Sequence, residues 1–388
     1  MNLRQQLRWG GLWIMISSVF ESVAVIVIYA GKQSATMHLI YSIGYTALVL
    51  TCAFIHISQA RRSGIFGLVT YIACVLTVLY LNILSFLIQA DLAGIEGARQ
   101  ATRPLLPPMT TVNYVAMLVW ILFGLSVAQA GVFPRWGGIL IALGVALLAP
   151  TAFAMNLAGQ VFYIFTIGAS IIYGIGKIWL GWALWSGKGM LDEEPRLSHL
   201  DRTWGAPFVI LTALLLAANA YINTFSGLTL AGAIINVATY TALIFAIVIL
   251  YTAQADRAGG LGLAGFISTH LGATLFFIPA YLIMEQLAGR FDSNRALMIV
   301  WNDVPVGRIG NDMLPIGLLL FGVSVIRAEV FPRWTGWLMV VGVALLLPTQ
   351  FQSQAYLFQI FWVIGATLTG IGMGWMGWML LKNKSLVE

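Results

Sequence analysis

Charged side chains are scarce in this sequence. Only 9% of its 388 residues are Asp, Glu, Lys or Arg, whereas soluble domains carry roughly 25%. Hydrophobic residues make up 60% of the chain, and the mean hydropathy is +0.90. So few charges cannot cover the surface of a water-soluble domain of this size. The composition therefore excludes an ordinary soluble protein and predicts an integral membrane protein whose main partner is the lipid bilayer.

Cysteines and catalytic motifs are also few. Cys52 and Cys74 lie within apolar segments and form no CxxC pattern, so the sequence predicts no disulfide framework. No metalloprotease, nucleophile-elbow or nucleotide-binding motif occurs in a usable context. The net charge of +6 falls mainly in short loops, which indicates a membrane surface and not nucleic acid as its partner. We expect a non-enzymatic protein with no catalytic residue, no metal site and no cofactor.

Long apolar runs are what the sequence has in abundance. About 20 helical residues cross the roughly 30 Å of hydrocarbon in a bilayer, and an open strand would leave its backbone groups unsatisfied there. The first run is long enough to span and contains Glu21, so we expect it to belong to the fold and not to be a signal peptide. The sequence predicts an all-α polytopic fold with about twelve transmembrane helices, near residues 10–30, 37–58, 65–89, 109–131, 137–155, 160–185, 203–223, 229–252, 260–284, 310–327, 335–351 and 355–381.

Lysine and arginine are unevenly distributed over the predicted loops. If the N-terminus is cytoplasmic, thirteen of them fall in inside segments and six in outside segments. Cytoplasmic loops of membrane proteins carry an excess of these residues. We therefore expect a multi-pass protein of the inner (plasma) membrane with both termini in the cytoplasm.

A stretch of the first half of the chain recurs in the second half. Residues 132–153 read VFPRWGGILIALGVALLAPTAF and residues 330–351 read VFPRWTGWLMVVGVALLLPTQF, with fifteen of 22 positions identical. Residues 45–48 recur at 240–243, with an offset of 195. Such self-similarity predicts a tandem duplication.

The duplication also predicts the domain organisation. We expect a first six-helix transmembrane repeat at residues 1–185, a cytoplasmic linker at 186–201 and a second six-helix repeat at 202–388. Six spans return the chain to the side on which it started, so both repeats have the same orientation. They should be related by a pseudo-two-fold axis along the membrane normal.

Each copy contains a short turn with proline, arginine and tryptophan in succession. Proline ends one span, arginine meets anionic headgroups, and tryptophan lies at the interface. We interpret the turn as a topogenic anchor; a functional gate or a partner-binding site is the alternative. The residues of the two turns are Pro134, Arg135, Trp136, Pro332, Arg333 and Trp334.

The FPRW-type turn, followed by a glycine-containing apolar helix, resembles the penultimate hairpin of uncharacterised bacterial multi-pass membrane families, of the kind described as domains of unknown function. The similarity covers about twenty residues in each copy, which is roughly one membrane span. It implies a bacterial membrane protein and no activity. This chain differs from the family pattern because it carries the unit twice.

Two ionisable residues lie clearly inside predicted spans, Glu21 in the first and Lys177 in the sixth. At ~1.5 Å per residue their predicted depths differ by only about 5 Å. By register they correspond to Leu216 and Met373 in the second copy, so both charges are absent there together. Loss of one partner would leave an uncompensated charge. We therefore predict a Glu21–Lys177 ion pair; a coupling or substrate site, or no contact at all, are the alternatives.

Three classes of function stay open. A subunit or scaffold of a membrane complex, with other membrane subunits as partners, fits the scarcity of intramembrane charge. A secondary transporter with a central site at the interface of the repeats, and Glu21 as its coupling residue, fits the parallel repeat. Broken helices usually mark such sites, and Pro279 and Pro315 are the best candidates for breaks. An intramembrane enzyme acting on lipids has no positive support.

Overall fold

The computed structural model describes residues 3–29, 34–95, 98–153, 160–187, 199–227, 229–289, 306–347 and 356–382. Within these residues the fold is all-helical and contains no strand, which confirms the predicted class. Eight helices are long and apolar enough to cross a membrane by length and composition. The count of twelve spans stays a prediction. Most of the predicted linker at 186–201 lies outside the described residues.

The chain folds into two compact units. The N-terminal unit comprises Leu7–Pro195, and the C-terminal unit comprises Arg196–Glu388 together with Met1–Gln6. The helices of the first part of the chain are α1 (Leu3–Tyr29), α2 (Ala35–Leu92), α3 (Ala98–Thr102), α4 (Leu106–Ala130), α5 (Arg135–Phe153) and α6 (Gln160–Ser186), with a 3₁₀ turn at Arg103–Leu105. Those of the second part are α7 (His199–Phe225), α8 (Leu230–Leu287), α9 (Val306–Ala328), α10 (Arg333–Leu346) and α11 (Tyr356–Lys382).

Helices α2 and α8 each contain 58 residues and fold back on themselves. The backbone leaves the helical conformation at Gly64 (φ 57°, ψ −158°) and at Gly259 (φ 62°, ψ −162°). Glycine adopts a positive φ without steric cost. Each helix is therefore a hairpin of two helical arms, at residues 35–63 and 65–92 in α2, and at 230–258 and 260–287 in α8.

Aromatic rings join the two arms of each hairpin close to its bend. His56 stacks on Tyr71 in α2, with ring centroids 4.3 Å apart and planes at 4°. At the positions 195 residues later, Tyr251 stacks on Phe266 in α8, with centroids 4.4 Å apart and planes at 11°. Equivalent residues of the two arms therefore face each other in both hairpins.

Six helical segments close a bundle within the N-terminal unit. Helix α1, the two arms of α2, α4, α5 and α6 each pack against the next, and α6 packs against α1. Five contacts define this order: Trp13 Nε1 to Ala47 O (3.1 Å), Ser42 Oγ to Ser85 Oγ (2.6 Å), Thr70 Oγ1 to Ser126 Oγ (3.3 Å), and the close backbone approaches of Gly124 to Gly138 and of Gly144 to Tyr173. The closing contact is between Gly11 and Gly181.

Glycine determines how closely neighbouring helices approach in both units. A Cβ atom on Gly138 of α5 would lie 2.5 Å from the carbonyl oxygen of Gly124 on α4. A Cβ atom on Gly336 of α10 would lie 2.7 Å from the carbonyl oxygen of Gly322 on α9. Small residues allow backbones to touch, and van der Waals contact of this kind associates helices in lipid. The same helix crossing is thus present in each unit.

Candidate functional site

The site of interest lies where α1 passes between the first arm of α2 and α6. A Cβ atom on Gly44 of α2 would lie 3.3 Å from Glu21 Cβ. A Cβ atom on Gly174 of α6 would lie 2.3 Å from Ser22 Oγ. The two glycines therefore allow α1 to approach both neighbours, and they place Glu21 in the interior of the bundle.

The structure brings Glu21 and Lys177 together. The Lys177 ammonium group donates a hydrogen bond to Glu21 Oε2. Lys177 is 0% exposed and Glu21 is 7% exposed, so both charges are withdrawn from solvent. Lys177 Nζ also lies 4.0 Å from the centroid of the Tyr173 ring, which attracts a cation through its π-face. Each charge therefore compensates the other inside the bundle.

Apolar and aromatic groups surround the pair. The Tyr173 ring makes an edge contact with Trp120 of α4, with centroids 5.7 Å apart. Cys52 and Cys74, on opposite arms of α2, are both buried and both free thiols. A low-polarity environment of this kind strengthens a satisfied ion pair and makes an unsatisfied charge costly.

A row of polar side chains, which we call the polar ladder, joins the two arms of α2 and comprises Ser42, Ser85, Thr46 and Asn82. Ser42 Oγ lies 2.6 Å from Ser85 Oγ, and Asn82 Nδ2 donates to Thr46 Oγ1 at 3.0 Å. Glu21 packs against Gly44, which lies between Ser42 and Thr46 in the sequence. The polar ladder therefore reaches the level of the ion pair.

Two further polar residues follow the polar ladder towards the open end of the hairpin. His38 and Gln89 are buried, and neither ring nitrogen of His38 nor Oε1 of Gln89 has a hydrogen-bond partner among the described residues. They occupy opposite arms one helical turn beyond Ser42 and Ser85. Polar groups thus line the α2 hairpin from its open end to the ion pair.

The C-terminal unit has neither the ion pair nor the polar ladder. Leu216 and Met373 stand where Glu21 and Lys177 stand, and Met373 is fully buried. The Thr241 hydroxyl, at the position of Thr46, donates to Val237 O within its own helix. The other ladder positions are occupied by Val237, Ala280 and Phe277.

A small amide cluster lies in the C-terminal unit and was not anticipated from the sequence. Asn219 Nδ2 of α7 donates to Asn236 Oδ1 of α8 at 3.0 Å, and Asn223 donates to Asn219 Oδ1. The spacing of Asn219 and Asn223, four residues apart in an apolar run, was the signal that could have found it.

A buried glutamine recurs at the same position of both units. Gln59 and Gln254, 195 residues apart, are each 1% exposed. Neither amide atom of either side chain has a hydrogen-bond partner among the described residues. Their recurrence was visible in the sequence, but their burial was not, because both lie just beyond predicted spans, near a bend whose packing the sequence alone does not specify.

The two FPRW turns have different local contacts. In the N-terminal turn, Gly131 adopts a left-handed conformation (φ 65°) and Arg135 is exposed. In the C-terminal turn, Glu329 holds the equivalent left-handed position (φ 53°), and Arg333 donates a hydrogen bond to its carboxylate. That hydrogen bond, together with the nearby positive charge of Arg333, lowers the pKa of Glu329 from its ordinary value.

The proline and tryptophan residues of the turns lie at the start of the following helix and on the surface. Pro332 precedes α10 with φ −55° and ψ 132°, and Trp136 and Trp334 are exposed. Among the described residues, no group of three or more His, Cys, Asp or Glu side chains could hold a metal ion. Comparison with protein-family models, with curated proteins and with solved structures finds no match for this chain.

Proposed function

We propose that this chain is a twelve-span protein of the bacterial inner membrane, and that it works as a non-enzymatic subunit or scaffold of a membrane complex. The count of twelve follows if each arm of α2 and α8 is one span. Each unit then contributes six spans, and the proposed origin is tandem duplication of a unit that resembles the FPRW-turn families. Both termini lie in the cytoplasm in this proposal, as the distribution of lysine and arginine indicates.

The observation that supports a scaffold is that the charges of the Glu21–Lys177 pair are buried and satisfy each other. Lys177 is fully buried, and its charge is satisfied by Glu21 and by the Tyr173 ring. Helices α8 and α9 continue through Pro279 and Pro315, which were the best candidates for breaks. Broken helices usually mark the binding sites of transporters. Helices that continue through these prolines, and an ion pair whose charges are satisfied, favour a rigid protein that other subunits bind.

Native mass spectrometry of the protein, extracted gently from its own membranes, tests this role, and an absorption spectrum of the same sample would reveal a chromophore. We expect a stoichiometric complex with another polypeptide, whose identity then names the function. A protein that is alone and colourless under conditions that preserve known complexes of the same membrane would contradict the scaffold role.

One observation favours a secondary transporter as the second candidate. The polar ladder leads from the open end of the α2 hairpin to the level of Glu21, and intramembrane ionisable groups commonly mark ion pathways. Proton uptake into liposomes that contain the purified protein, followed with a pH-sensitive dye, tests this candidate. Transport would require uptake that is lost in Glu21→Gln. Equal uptake by wild type and variant would remove Glu21 as the coupling residue.

A further inference from the structure

The arginines of the two FPRW turns are both exposed, but only the one in the C-terminal turn has an acidic partner among the described residues. Arg135 makes no ion pair with any residue that the structure describes, and glycine, Gly131, occupies the position four residues before it. In the C-terminal unit that position is Glu329, and its carboxylate accepts a hydrogen bond from Arg333. Within the described part of the chain, the positive charge of the first turn is therefore uncompensated, whereas Arg333 of the second turn is paired with Glu329.

The tryptophans that follow the two arginines also differ in exposure. Trp136 is 64% exposed, and Trp334 is 43% exposed. Trp334 packs on Trp375 of α11, with ring centroids 5.2 Å apart. Trp334 of the C-terminal turn is therefore partly covered by Trp375.

Helix α6 adds a second indole to the N-terminal turn. A Cβ atom on Gly137 would lie 2.5 Å from Leu180 Cδ2, so α5 and α6 touch at this level. Trp136 precedes Gly137, and Trp179 precedes Leu180. Both indoles are exposed, but Trp179 (41%) is about as exposed as its counterpart Trp375 (45%), so the two surfaces differ in exposure only at Trp136 and Trp334. Arg135 and Trp136 of α5 and Trp179 of α6 thus lie next to this contact between the two helices, and we call the three residues the N-terminal patch.

We infer that the N-terminal patch binds the phosphate headgroup of an anionic phospholipid, and that the equivalent C-terminal surface does not. A guanidinium group presents paired N–H donors that match a phosphate, and exposed indoles favour the headgroup level of a bilayer. Arg333 offers a weaker site, because its charge is paired with Glu329, which also accepts one of its N–H donors. The inference goes beyond the proposed function and holds for a subunit and for a transporter alike.

The experiment is native mass spectrometry of the delipidated full-length protein, titrated with phosphatidylglycerol and, in parallel, with phosphatidylcholine. We expect one phosphatidylglycerol to bind more tightly than the others. Arg135→Gln should lower its affinity about five-fold, which corresponds to about 1 kcal/mol for an arginine near an anionic surface. Arg333→Gln should leave it unchanged, and Arg135→Lys should retain most of it. Glu329→Gln should create a second tight site, because it restores the uncompensated charge of Arg333.

Three results would overturn the inference. Equal losses in Arg135→Gln and Arg333→Gln would show that the two turns do not differ. Equal binding of phosphatidylcholine would show that the negative headgroup is not what is recognised. Displacement of the lipid by inorganic phosphate at matched concentration would assign the patch to a soluble anion. Thermal unfolding of Arg135→Gln that matches wild type establishes that its loss of affinity belongs to binding and not to folding.

Discussion

The N-terminal unit buries a carboxylate and an ammonium group where the C-terminal unit buries leucine and methionine. Glu21 and Lys177 are replaced by Leu216 and Met373, yet both units bend their long helix at an equivalent glycine. Helix α4 crosses α5, and helix α9 crosses α10, at equivalent glycines. The backbone arrangement therefore depends on small residues at the crossings. The groups in the interior can change from charged to apolar, provided that two partners change together.

The largest expected effect comes from removing one partner of the ion pair. Lys177→Met and Glu21→Leu, which introduce the residues of the C-terminal unit, should each lower the free energy of unfolding by about 3–5 kcal/mol, because a buried charge is left uncompensated. The double variant should recover most of this loss. Denaturant-induced unfolding in detergent micelles, followed by tryptophan fluorescence, measures the three values. Additive losses in the double variant would show that the two side chains do not act as a pair.

The reverse substitutions introduce the two charged residues into the C-terminal unit. Leu216→Glu alone should destabilise, because it buries a carboxylate among apolar groups. Adding Met373→Lys should restore part of the lost stability if the two positions face each other as their counterparts do. No gain from the second substitution would mean that the interior of the C-terminal unit no longer brings these positions together.

The second prediction concerns the close helix crossing at glycine that the two units share. Gly138→Ala and Gly336→Ala each place a methyl group against the backbone of the preceding helix, and overpacking of this kind costs about 1–3 kcal/mol. We expect similar losses in the two units, measured by the same unfolding assay. Gly168→Ala is the control, since a Cβ atom on Gly168 meets nothing within 4 Å. A loss confined to one unit would show that the two crossings are not equivalent.

The third prediction compares hydrogen bonding between the two arms of the α2 hairpin with that between the arms of the α8 hairpin. Thr46→Val and Asn82→Leu remove the hydrogen bond that joins these two residues across the arms of α2, and such bonds contribute about 0.6 kcal/mol on average within membranes, with a maximum of about 1.7. A double-mutant cycle on these two residues should give a coupling of that size. The matched cycle on Thr241→Val and Phe277→Leu in α8 should give almost none, because Thr241 bonds within its own helix. Equal coupling in the two hairpins would contradict the difference that we describe.

The sequence was informative about Glu21 and Lys177 for a physical reason. Ionisable groups are rare in apolar spans, so each one is conspicuous. Their joint replacement by Leu216 and Met373 linked two residues that lie 156 positions apart. An all-helical fold with spanning helices was equally accessible, since composition and run length determine it.

The polar ladder and the buried glutamines could not be found in the same way. Serine, threonine and asparagine occur singly in apolar helices and bond to their own backbone, so the pairing of Ser42 with Ser85 requires the register of the hairpin. That register depends on the single non-helical residue, Gly64. The sequence indicates a break between two spans there, but it does not specify which residues of the two arms become opposite each other.

The smallest expected effect tests the difference between the two FPRW turns. The hydrogen bond from Arg333 lowers the pKa of Glu329 below its ordinary value of 4.5, so the carboxylate is more acidic in the folded protein than in the unfolded chain. Its contribution is therefore fully present above the unfolded pKa and is lost as the pH falls through the folded pKa. Both groups are exposed, so the effect is small.

Unfolding midpoints of wild type and Glu329→Gln should accordingly differ slightly at neutral pH and converge on acidification below about pH 4. Arg135→Gln is the matched control, since glycine occupies the position of Glu329 in its turn, and its difference from wild type should not change over that range. A pH-independent difference for Glu329→Gln would mean that the left-handed backbone at Glu329, and not its charge, determines the effect of the substitution. The two turns would then differ in conformational strain and not in electrostatics.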